Sequence, residues 1–160
     1  MGVGSDLGTL LSNCRGSDGY AIDASGRVVR HLSSAPIPPI TEPQPIPDHW
    51  KEVPRPMPTE IGTNRINWDI RYDNPPAFSH SYEINANTGE TPASPEGPLA
   101  APGAYTLKLT VNGKAYTQTV VVKNDPRSPA TAKELADQCT LQKQAYDALN
   151  ETFEAFNRAK

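Results

Sequence analysis

Cysteine is nearly absent from this chain. Of its 160 residues only Cys14 and Cys139 are cysteines, and they lie far apart. There are three histidines, His31, His49 and His80, none at metal-ligand spacing, which argues against a zinc site. One long-range disulfide or two free thiols are the alternatives for the cysteines, and the second is the better reading. No apolar run approaches the ~18 residues a membrane span needs. A basic excess is also missing. Fifteen Lys and Arg stand against 18 Asp and Glu, for a net charge of -3, which argues against a nucleic-acid partner. The N-terminus has no basic residue before its short Leu10-Leu11 stretch, so it is not a signal peptide. Leu11–Cys14 faintly resembles a lipoprotein box, but Asn13 and the missing apolar region argue against one. Hydrophobic content is 36%, lean for a packed domain, so part of the chain is not core.

Chemistry-bearing motifs are missing as well. Gly2-Val-Gly4 is not followed by the third glycine of a dinucleotide fingerprint, and there is no P-loop or GxSxG elbow. His80 has Ser79 and Ser81 beside it, but adjacency in a loop is not a triad. Asp69, Asp73, Glu83, Glu90 and Glu96 supply carboxylates, yet a glycosidase needs two facing each other across a cleft. The residues therefore point to no catalytic, cofactor-binding or metal-binding set.

What the chain does have is proline and strands. The clearest stretch is Pro102–Lys123. Tyr105, Leu107, Leu109 and Val111 alternate with Thr106, Lys108 and Thr110, giving one apolar and one wet face. Asn112-Gly113 is a tight-hairpin signal. The return strand then has Tyr116, Val120 and Val122 on the core face, together with Gln118. That glutamine predicts a bulge or an edge position. Tyr20–Ser33 reads as a second hairpin turning at Ala24-Ser25-Gly26. Ile61–Tyr72 reads as a strand with Ile66, Trp68, Ile70 and Tyr72 on one face. Asp69 and Arg71 fall on the other, spaced to pair, and Trp68 is the candidate core centre.

Nine prolines fall within 36–58. They remove amide donors and fix φ, so a polyproline connector is expected, with Ile37, Ile40, Ile46, Trp50 and Met57 as anchors. Pro36–Pro39 also matches a PxxP groove ligand, but the stiff-connector reading is preferred. The segment 73–101 is a long loop carrying Phe78, His80, Tyr82 and Ile84, which either fold back or meet a partner. Exposed Trp50, Tyr72, Phe78 and Tyr82 would suit a sugar-stacking platform, though packing is the simpler reading. Thr131–Glu134 is a capping box opening a helix. Leu135, Cys139, Gln142, Tyr146, Leu149, Phe153 and Phe156 then recur at steps of four and three. One helix cannot bury that stripe alone. The residues by themselves give a small antiparallel β-sandwich plus a helix. The expected divisions are a disordered or non-native start at 1–18, a sandwich over 19–127 (connector 36–60, loop 73–101) and a helix over 128–160.

The order IDASGRVVR, NRINWDIRY, GPLAAPGAYTLKLTVNGK and NDPR resembles the Ig-like domain of the flagellar hook-capping protein. It is closer to the C-terminal part of bacterial sortilin-like, BNR-repeat glycosyl-hydrolase-like proteins. The matching positions are Asn64, Arg65, Trp68, Asp69, Arg71 and Tyr72; Gly97–Ala100 with Pro102–Thr106, including Gly103 and Tyr105; and Asp125–Arg127. Gly113 closes the same hairpin. The resemblance implies an Ig-like antiparallel β-sandwich with a long proline-rich insertion and a C-terminal α-helix. It implies an exported parent whose propellers, where a hydrolase activity would reside, are not in this chain. The strand expected before Tyr20 is replaced by the Gly/Ser-rich start, so the chain reads as a C-terminal piece. The function expected is then a non-catalytic accessory module. Its partner would be the propeller domains or a second copy through the helix, with Phe78, Tyr82, Leu135, Tyr146, Leu149, Phe153 and Phe156 as the contact surface. A carbohydrate ligand is the alternative.

Overall fold

The computed structural model describes residues 17–60, 62–84 and 87–160. Cys14, the Leu11–Cys14 box and most of the start expected to be disordered lie outside these residues. Antiparallel sheets and one C-terminal helix make up the described chain. The chain divides into two compact units that do not follow chain order. One holds the described residues up to Ile37, Arg55–Asp69 and Pro102–Asp125. The other holds Pro38–Pro54, Ile70–Ala101 and Pro126–Lys160.

The first unit is a four-stranded sheet. Strands β1 (Asp18–Ile22), β2 (Val28–Ser33), β5 (Gly103–Val111) and β6 (Lys114–Val122) lie in the order β2-β1-β5-β6, all antiparallel. The β5–β6 hairpin pairs nine residues from Gly103↔Val122 to Val111↔Lys114 without a register shift. Asn112 (φ 49) and Gly113 (φ 78) both take the left-handed region, as a two-residue primed turn requires. Gln118 faces Leu107 on an edge strand, so the edge, and not a bulge, accommodates it. The β1–β2 turn closes on Asp23. Its carboxylate accepts from the amides of Ser25 and Arg27 and from the Ser25 hydroxyl, while Gly26 turns at φ 86. The ladder slips between Ala21 and Ile22, and Val29 at that slip is 1% exposed.

The alternation survives in the fold. Gly19, Ala21, Leu32, Tyr105, Leu107 and Leu109 share one face by register. The opposite face is polar, with His31 stacked on Tyr20 at 4.6 Å and hydrogen-bonded to Asp18. Met57 and Trp68 of the stretch Arg55–Asp69 lie against the apolar face. Met57 is buried there, its sulfur over Gly19 and its amide donating to the Ser33 carbonyl at 2.8 Å. At the other end the Trp68 ring meets Tyr105 edge-on at 5.4 Å.

The strand expected over Ile61–Tyr72 does not form in the described residues. Only Arg71 makes a bridge, to Leu99. Ile70 sits at φ 58, a left-handed conformation that a β-branched residue adopts only under constraint, and this breaks the alternation. The expected Asp69–Arg71 pair is lost with it. Asp69 faces Arg30 at 3.6 Å, and Arg71 faces Glu96. Trp68 is half-buried, whereas Tyr105 is buried.

In the second unit the proline-rich segment is held by a few contacts. Ile46 is buried, while Ile37, in the first unit, is exposed. Past a 3-10 turn at Asp48–Trp50, Lys51 bridges Thr91 in parallel. Glu52 donates its amide to the Thr91 carbonyl, and Thr91 donates its own to Trp50. The two-residue strands β3 (Ser81–Tyr82) and β4 (Ala93–Ser94) pair within 73–101, so that loop folds back on itself.

Candidate interaction surface

Helix α1 (Ala132–Ala159) starts where the sequence predicts. Thr131 Oγ1 accepts from the Glu134 amide at 3.3 Å, and the Glu134 carboxylate accepts from the Thr131 amide and hydroxyl, each at 2.8 Å. Those bonds favour the ionised acid and hold Glu134 below the usual glutamate range; the backbone bond contributes most.

The 28-residue helix has no fully buried residue. Its seam docks on segment 70–101. Tyr146 lies 6.2 Å from the Tyr72 ring, with Lys143 above that ring at 5.6 Å. Phe153 stacks on Phe78 at 4.4 Å, and Phe156 meets the same ring at 4.7 Å. Cys139, a free half-buried thiol, points its sulfur toward the Leu99 carbonyl. Tyr146 and Phe153, expected to face a partner, are therefore engaged within the chain. Leu135 is half-buried, and Tyr82 lies under the Lys51 ammonium at 5.6 Å. Phe78, Leu149 and Phe156 remain 60%, 56% and 51% exposed.

Beneath this surface a clasp joins two strings of the sequence. The Arg71 guanidinium donates to the Gly97 carbonyl at 3.0 Å and faces Glu96 at 3.4 Å. The Tyr72 amide donates to Pro98, the Ala100 amide to Ile70, and the Gly97 amide to the Asn74 side chain. These contacts fix the backbone that presents Tyr72 to α1.

One contact and one side chain escaped the sequence reading. His80 Nδ1 lies 3.3 Å from Glu42, and the Gln44 side chain donates to the His80 carbonyl, tying the proline-rich segment to the loop. The exposed Leu141 lies outside the seam. Its spacing to Ala145, Ala148 and Thr152 was the available signal. Gly103 opens β5 with open space around its α-carbon. Among the described residues no three His, Cys, Asp or Glu side chains gather as a metal-holding group, and no helix is long and apolar enough to cross a membrane.

No protein-family model, curated protein or solved structure matches this chain.

Proposed function

We propose that the chain is a non-catalytic interaction module, with an Ig-like β-sandwich and a long proline-rich insertion as the finer description of its fold. In this reading it is akin to the C-terminal regions of exported bacterial sortilin-like, BNR-propeller proteins. It braces a propeller or presents a contact surface to it. The observation that carries the reading is the exposed aromatic cluster. All three phenylalanines of the chain, Phe78, Phe153 and Phe156, gather at one place, and two of them are more than half exposed. Exposed aromatic groups on an ordered scaffold are the usual anchors of a protein contact.

The test is a calorimetric titration of the chain with a recombinant BNR-repeat propeller of a bacterial sortilin-like protein. Saturable binding is expected, weakened roughly tenfold or more by Phe78→Ser, as for an interface anchor. No binding, or binding indifferent to Phe78, would contradict it. Saturable binding of a polysaccharide instead would favour the carbohydrate alternative. Turnover of fluorogenic glycosides would overturn the non-catalytic reading.

A further inference from the structure

The four-stranded sheet ends on two strands of different character. At the β2 edge the ladder slips between Ala21 and Ile22, Arg30 and His31 lie within the strand, and the Met57 amide donates to the Ser33 carbonyl. Bulges, charges and covering chain are the devices by which sheet edges avoid stray pairing. Among the described residues the β6 edge has none of them. Its nine residues pair with β5 without a slip, and Ala115–Val122 holds no charge and no proline. Lys114, at its start, lies along its own strand, 5.1 Å over the Tyr116 ring.

The turn decides which backbone groups face outward. A two-residue turn makes Val111 and Lys114 a hydrogen-bonded pair, and such pairs alternate along an antiparallel ladder. Lys114, Tyr116, Gln118, Val120 and Val122 therefore bond to β5. Ala115, Thr117, Thr119 and Val121 turn amide and carbonyl away from it, and all four residues are exposed. Among the described residues no partner takes these amides, and the Thr119 carbonyl has a 3.5 Å contact from the Gln118 side chain.

We infer that β6 pairs with β6 of a second copy, antiparallel about a two-fold axis at Gln118, so that the two sheets become one. The strand's own residues choose this occupant. Full overlap of Lys114–Val122 on itself centres on Gln118. It sets Ala115 opposite Val121 and Thr117 opposite Thr119, so each outward amide meets an outward carbonyl. On the apolar face Tyr116 falls opposite Val120. Aromatic with β-branched and Thr with Thr are cross-strand pairs that stabilise sheets. The flanking lysines separate, Lys114 lying opposite Val122 and Lys123 opposite Gly113, so no like charges meet. A parallel pairing in register would set Lys114 beside Lys114 and Lys123 beside Lys123. The contact is isologous and leaves only the guarded β2 strands at its outer edges, so it gives a dimer and not a fibre. No residue of the Phe78 surface takes part. A monomeric chain that still binds a propeller would sink the pairing and leave the interaction-module reading intact.

The experiment is sedimentation equilibrium of the full chain under reducing conditions, with far-UV circular dichroism as the check on folding. The wild type is expected to dimerise reversibly. Thr119→Pro removes an amide that faces outward and not toward β5, so it should give a folded monomer. The double variant Thr117→Lys/Thr119→Lys changes only exposed side chains and keeps the backbone free of proline. It sets Lys opposite Lys twice and should weaken the dimer roughly tenfold. The register is read by cross-linking under mild oxidation. Gln118→Cys meets its own copy across the axis and should form a covalent dimer, beyond any that the wild-type thiols give, whereas Ala115→Cys should not. A wild type that stays monomeric would overturn the inference, and so would assembly that grows beyond the dimer. A dimer indifferent to the double variant, or cross-linking through Ala115→Cys as readily as through Gln118→Cys, would overturn it as well.

Discussion

Arg71 and Gly97 hold two distant strings of the sequence together. The guanidinium reaches the Gly97 carbonyl at 3.0 Å, and a Cβ built on Gly97 would run into the Tyr72 and Asp73 carbonyl oxygens. The glycine is required by close approach and not by its φ. Backbone lies against backbone there, with no flexible side chain to yield.

Gly97→Ala should therefore cost about 2–3 kcal/mol or more, the range of overpacking in a tight interior. Gly103→Ala is the matched control. Nothing lies within 4 Å of its added Cβ, so it should stay within about 0.5 kcal/mol of wild type, as open sites do. Chemical denaturation of both variants decides. Equal effects would mean that the Gly97 contact does not constrain the fold.

Trp68 and Tyr105 form an edge-to-face pair, but only Tyr105 is buried. Tyr105→Ala should cost about 3–5 kcal/mol, as for large buried aromatics. Trp68→Ala should cost less, about 2 kcal/mol, since part of its ring already meets water. The reverse order in denaturant midpoints would place Trp68 at the centre of the sheet's covered face.

At the hairpin, Gly113→Ala places a Cβ at φ 78. It should destabilise by about 1–2 kcal/mol through left-handed backbone strain. Asn112→Gly should be close to neutral, because Asn already tolerates that region. Thermal unfolding of the two variants measures both.

The Glu134 carboxylate titrates below its ordinary range because the folded helix start favours its charge. A depressed folded value means that its contribution is present above the unfolded glutamate pKa. The contribution fades as pH falls through the folded value. Helix content of wild type and Glu134→Gln, followed by circular dichroism from neutral pH downward, should converge in acid. Curves that stay parallel would show that the capping box contributes nothing through this charge.

Local rules made much of the fold legible. Alternation gave both hairpins of the sheet, Asn112-Gly113 gave the turn, and Thr131–Glu134 gave the helix start. What the sequence hid was set by tertiary contact. Ile66, Trp68, Ile70 and Tyr72 alternate like a strand, yet the chain turns at Ile70 and sends Asp69 and Arg71 to partners far along the sequence. No local propensity signals an isoleucine at positive φ. The helix seam was readable from its spacing, but not that Phe78 and Tyr72 would cover part of it.

The proposed docking surface is the one around Phe78 and Phe156, on α1 and its loop. Amide hydrogen exchange of the chain, alone and saturated with a BNR-repeat propeller, tests this most directly. Slowed exchange confined to residues around Phe78 and to the last turns of α1 is the predicted result. Protection that falls on the β6 edge instead, or exchange unchanged at every site, would contradict it.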